Sequence, residues 1–149
     1  MKLPAALALL LAAASCAAPA KAAAVFGPTN AEKAPAGAAC YASVIELKPE
    51  SEAKYRELHA AVWPEVLAAI KKANISDYRI YRAELGGKAY LFSTFTYTGS
   101  DFKADMDSIG KDPTTKLKWW PLTDACQTRL PGTPTGQQWT GIEQLMRIP

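Results

Sequence analysis

Asp77–Glu84 (DYRIYRAE), the pair Gly86-Gly87 and Ala89–Tyr97 (AYLFSTFTY) decide the fold of this chain. Two runs rich in aromatic and β-branched residues, on either side of a glycine pair, predict two antiparallel strands closed by a tight turn. Successive strand side chains leave opposite faces. Tyr78 and Tyr81, with opposite parity, therefore point to opposite sides, and at most one of them enters a given pocket. Upstream, Cys40–Leu47 (CYASVIEL) has the composition of a strand and stops at Lys48-Pro49. Pro49 suits the mouth of a helix, and Glu50 and Glu52 place negative charge in its first turn. From there Leu58, Val62, Val66, Ile70 and Ala73 recur every three or four residues, an amphipathic stripe. Pro64 interrupts it by removing a backbone donor, which predicts a kink near Trp63.

Downstream of the hairpin, Phe102–Ile109 predicts a short helix and Pro113–Leu130 a second helical stretch carrying an awkward Pro121. Residues 131–136 are rich in turn formers, and Gln138–Ile148 predicts a closing strand. Strands with helices packed on one face define an α+β class, a sandwich of the ferredoxin-like kind.

Of the 28 alanines in 149 residues, 17 fall in the first 39, so the core is formed by the remainder, enough for one domain. Met1-Lys2 and the apolar run Leu3–Ala14 predict a signal peptide over residues 1–15. Ala13-Ala14-Ser15-Cys16 resembles a bacterial lipobox, in which Cys16 is lipidated and becomes the first residue. Cleavage at Ala20-Lys21-Ala22 or Ala22-Ala23-Ala24 is the competing reading. Both export the protein, as a cell-envelope lipoprotein or a periplasmic protein, with membrane contact only through an N-terminal lipid. Residues 16–39, rich in Ala and Pro without periodicity, read as anchor and tether, leaving 40–149 as the folded domain.

Trimming residues 1–15 removes one charge, Lys2, and leaves sixteen basic against fourteen acidic side chains. That balance argues against nucleic acid and suits a neutral small molecule. Three cysteines and one histidine do not make an ordinary zinc site, and Asp101, Asp105 and Asp107 lack the glycine-centred loop of a calcium site. Cys40 and Cys126 are candidates for a disulfide in an oxidising compartment. Nucleophile-elbow, P-loop and dinucleotide motifs are missing from the sequence.

Tyr55, His59 and Trp63 are spaced at i, i+4 and i+8 and share a helical face. The chain's single histidine thus sits between two aromatic side chains, and histidine is the side chain that exchanges protons near neutrality. The competing reading is a half-buried histidine satisfied by a neighbouring carbonyl. Trp119 and Trp120 point about 100° apart on a helix, so one packs inward while the other is available to line a cleft. Indole faces suit the C–H faces of sugars; plain core or dimer packing is the alternative.

Tyr55-x-x-x-His59-x-x-x-Trp63-Pro64-Glu65, then Tyr78-x-Ile80-Tyr81, then Trp119-Trp120 and Asp124 follow one another in an order that resembles the L-rhamnose mutarotase family. The resemblance runs from about Tyr41 to Pro149. It implies a homodimeric α/β barrel in which strands of one subunit complete the other's sheet, and a neutral monosaccharide as ligand. By position it implies His59 as proton donor, Tyr55 and Tyr78 as sugar contacts, and Trp119 and Trp120 as walls.

Such chemistry needs no metal, redox cofactor or covalent nucleophile. Opening a pyranose protonates the ring oxygen while the anomeric hydroxyl loses its proton, and closure on the other face reverses both transfers. A non-catalytic exported saccharide-binding lipoprotein with the same fold is the second expectation. A dimeric-barrel oxygenase or haem protein is a third, and would have to take its ligand from His59.

Overall fold

The structure is a computed structural model that describes residues 39–146; the expected signal segment, Cys16 and nearly all of the tether lie outside the described residues. In chain order the elements are β1 (Ala39–Leu47), a 3₁₀ turn (Pro49–Ser51), α1 (Glu52–Ala60), α2 (Pro64–Lys72), β2 (Ile75–Leu85) and β3 (Lys88–Tyr97). There follow α3 (Phe102–Ile109), a π-helical turn (Thr115–Trp119) running into α4 (Trp120–Ala125), β4 (Gln127–Thr128) and β5 (Thr140–Ile142).

The sheet order is β2-β3-β1-β4, antiparallel throughout, with β5 on β1 as well. A helical crossover separates β1 from β2 and leaves room for β3 between them, the split arrangement of the ferredoxin-like fold. The hairpin turns at Gly86 and Gly87 with φ of 59° and 76°. Two consecutive left-handed residues give the twist that flanking strands require, and glycine takes it without a Cβ penalty.

One face of the sheet is buried. Ser43, Ile45 and Leu47 on β1 and the odd residues from Ala89 to Tyr97 on β3 all point into it. Tyr55 from α1 joins Ile45, Leu47, Leu91 and Cys126 in one cluster, while α2 and α3 cover a second around Phe95 and Tyr97. A third, of Leu58, Val66 and Trp119, ties the helices to one another.

The structure departs from the sequence expectations in four places. Pro64 does not kink one helix but separates two: Trp63 is extended (φ −63°, ψ 139°), as a residue before proline prefers, and Pro64 opens α2. The expected helix Pro113–Leu130 ends at Ala125, and Gln127–Thr128 pairs with Glu46 and Leu47 instead. Pro121 is accommodated because the preceding turn is π-helical: the Trp120 N–H donates to the Thr115 carbonyl, five residues back, and the widened turn relieves the proline ring. The closing strand shrinks from Gln138–Ile148 to three residues on β1.

Cys40 and Cys126, the candidate pair, are both free thiols, one exposed and the other buried. The Cys126 thiol donates to the Leu122 carbonyl at 3.3 Å.

Candidate active site

Helix α1 builds one wall of the site. Tyr55 is 4% exposed and anchors the helix to the sheet. One turn on, the His59 imidazole stacks over the Tyr55 ring with centroids 4.0 Å apart and 22° between planes. Trp119 meets the imidazole in a T-shaped contact, centroids 5.4 Å apart, and Trp63 in turn packs T-shaped against Trp119 at 5.3 Å.

His59 Nδ1 lies 2.9 Å from the Tyr55 carbonyl oxygen. A carbonyl can only accept, so Nδ1 carries the proton and Nε2 is the basic nitrogen. Burial lowers the pKa of His59 from its ordinary value, and the Tyr55 carbonyl opposes this only in part. The imidazole is therefore neutral at pH 7. Beside it opens a hollow of about 260 Å³, walled by Tyr55 and His59, with Leu47, Leu91 and Ile80 among its apolar lining and Glu52 and Arg82 among its charged lining.

Two phenol hydroxyls, one from α1 and one from β2, point into the packing between helix and sheet. The Tyr55 hydroxyl is hydrogen-bonded to Gln127, and its pKa is raised, first by burial and then by the neighbouring Tyr78. Tyr78 stacks on Phe95 at 5.6 Å with one flank of its ring open. Its hydroxyl reaches inward to Ser93, and burial raises its pKa too. Ser93 is itself bonded to Ser43 at 2.6 Å, and both serines are 1% exposed. Both phenols thus stay protonated at neutral pH, as hydrogen-bond donors.

Tyr78 faces inward because of a bulge. Ser76 pairs with Thr96 and Arg79 with Thr94, so Asp77 and Tyr78 together oppose Phe95. The extra residue flips the strand's parity and turns Tyr78 toward the helices. Asp77 sits at φ 48°, a left-handed conformation that aspartate tolerates better than most, and it accepts a hydrogen bond from Arg79 Nε at 2.7 Å.

Of the residues singled out in the sequence, the structure brings Tyr55, His59 and Trp119 together, with the Tyr78 hydroxyl near that of Tyr55. Trp120 turns elsewhere: its indole lies against Gly110 at the end of α3 and is 37% exposed, while Trp119 touches His59 from within the packing, so neither indole lines the hollow, and of the expected site residues only Tyr55 and His59 do. Ser43, Ser93 and Gln127 were not foreseen. The serines occupy ordinary inward positions of their strands, and nothing in a two-residue strand announced Gln127. Asp124, half-buried in α4 with its pKa raised by desolvation, is the carboxylate whose charge Tyr55 senses.

The fold and site define a ferredoxin-like α+β protein with a neutral histidine beside a hollow of mixed apolar and charged lining. Residues 40–148 match the family model described as L-rhamnose mutarotase. Curated relatives include an L-rhamnose mutarotase of Sinorhizobium fredii, 36% identical over 95 residues, covering 63% of this chain and 86% of that one. Another, from Rhizobium meliloti, is 32% identical over 97 residues and covers 63% and 86%. The crystal structure of an L-rhamnose mutarotase from Formosa agariphila superposes with a TM-score of 0.50 at 20% identity, covering 74% of this chain and 98% of that one, and shares the fold. The chain belongs to the L-rhamnose mutarotase family, isomerases of the sugar-epimerase type.

Proposed function

We propose that the protein interconverts the α and β anomers of L-rhamnose or a related pyranose, as an aldose 1-epimerase, with His59 as the group that moves the proton. The observation that carries this reading is the neutral imidazole, its Nδ1–H held by the Tyr55 carbonyl and its ring beside a hollow. Nε2 takes the proton of the anomeric hydroxyl, and a protonated phenol, Tyr55 or Tyr78, gives its proton to the ring oxygen as the C1–O5 bond breaks and takes it back when the ring closes. After rotation about C1–C2 the aldehyde recloses, and the imidazolium returns its proton. The sequence reading of His59 as proton donor assigns it to the ring oxygen during opening; a lowered pKa favours the acceptor role in that step instead.

Saturation-transfer NMR on equilibrated L-rhamnose tests the reading. Anomer exchange faster than in buffer is expected, and exchange no faster than buffer overturns it. Sugar binding without acceleration would favour the saccharide-binding lipoprotein.

The face of the sheet away from the helices carries Val44, Phe92 and Tyr81 in one cross-strand row. A second copy laid on that row completes the homodimeric barrel. Sedimentation velocity is expected to show twice the chain mass, and a monomer at micromolar concentration contradicts it. The N-terminal reading is export with lipid on Cys16. Mass spectrometry of the mature chain is expected to find a diacylglyceryl group there, and a chain starting at Lys21 or beyond contradicts it.

A further inference from the structure

Glu52, Tyr55 and His59 stand at i, i+3 and i+7 on α1 and share one face, with about 10 Å of helix rise between the first and the last. His59 and Glu52 both line the hollow, and across it Arg82 reaches from β2. Arg82 Nη2 donates to Glu52 Oε2 at 3.0 Å, while Arg56 donates to Glu52 Oε1 from Nε and Nη2 at 2.9 and 2.7 Å. Both carboxylate oxygens are thereby held in place; Oε1 is filled by its two bonds from Arg56, Oε2 has one acceptor site left, and the Arg82 fork has donors left.

We propose that Glu52 and Arg82 recognise the side of the sugar remote from its anomeric carbon, by holding two adjacent equatorial hydroxyls. Each hydroxyl of a vicinal diol both donates and accepts. A carboxylate and a guanidinium fixed side by side offer the matching pair, one accepting from the diol and the other donating to it. Arg56 and Arg82 are matched by Glu52 in the lining and by Glu84 just outside it, 3.7 Å from Arg82, so neither cation is left without a counter-charge. With C1 and the ring oxygen at His59, the 3- and 4-hydroxyls of L-rhamnose face Glu52 and Arg82. As a structural staple the pair would add little, because its side chains are 24% and 32% exposed.

This rests on the mutarotase reading, and the experiment separates the two. Exchange kinetics are measured for L-rhamnose and for its 4-deoxy analogue, which lacks the diol, with wild type, Glu52→Gln, Arg82→Met and the double variant. Wild type is expected to show a KM about tenfold higher for the 4-deoxy analogue, a preference that vanishes in the double variant with kcat within about twofold. A double variant that keeps the wild-type preference, whether or not its Tm drops, overturns the proposal. Glu52→Gln alone decides it if the double variant fails to fold. If wild type does not accelerate exchange, the mutarotase reading falls. Saturation-transfer difference binding of the same two sugars to wild type and Glu52→Gln then decides the diol contact by the same preference.

Discussion

His59→Ala lowers the acceleration of L-rhamnose anomer exchange by about 10²–10⁴-fold, the usual contribution of a positioned acid–base group. The fold survives, because the imidazole is only half-buried and both the Tyr55 ring and Trp119 keep their other contacts. The loss falls mainly on kcat, since the proton transfer occurs in the transition state and not in binding.

The pH profile carries the same signature. Burial depresses the His59 pKa below its ordinary 6.5, so Nε2 remains available as base throughout the neutral range. Activity falls only as the pH drops through that depressed value, giving an acid limb below 6.5. Tyr55 and Tyr78, both raised from 10.0, stay protonated well into alkaline solution and set no limb near neutrality. Stability follows with a definite sign. A histidine held neutral in the folded state binds fewer protons than it does unfolded, so its stabilisation is complete above 6.5 and is lost as pH falls through the folded value. A variant with unchanged exchange rate would leave His59 as a packed ring and move the proton transfer to Asp124 or a bound water.

The sequence exposed the parts of this site that lie on one regular element. Tyr55 and His59 could be read together because helix geometry alone places them on one face, and the element β1-α1-β2-β3 order followed from turn signals at Lys48-Pro49 and Gly86-Gly87. Tyr78 and Tyr81 do part as their parity implies, Tyr78 stacking on Phe95 and Tyr81 pairing with Phe92, yet it is Tyr81 and not Tyr78 that borders the hollow. Which of the two faces the helices was hidden, because it depends on the bulge at Asp77, and a single left-handed aspartate leaves no periodic trace. Long-range partners were illegible for the same reason. Ser43 meets Ser93 across 50 residues, and Gln127 reaches Tyr55 from a strand of two residues that propensity assigns to a helix. Pro121 misled in another way: it signalled disruption, and the chain answered with a π turn and not a break.

The adjacent tryptophans, indistinguishable in sequence, are expected to part sharply under substitution. Trp119 is 6% exposed and packs with Leu58 and Val66 in the cluster that binds the helices together. Trp119→Ala opens a cavity that the surrounding helices cannot fill, at a cost of about 3–5 kcal/mol, read from the midpoint of urea unfolding. Trp120, 37% exposed over Gly110, loses about 1 kcal/mol or less on the same change. The kinetic effects separate in parallel. Trp119 meets His59 in a T-shaped contact beside the Tyr55 stack, so its removal leaves the imidazole with one aromatic neighbour fewer to fix its angle, and kcat falls about tenfold or more even where the variant remains folded. Trp119→Phe keeps an aromatic edge against the ring and recovers part of both losses. Equal destabilisation by the two alanine variants, or full activity in folded Trp119→Ala, would show that the indole fills space without holding the histidine.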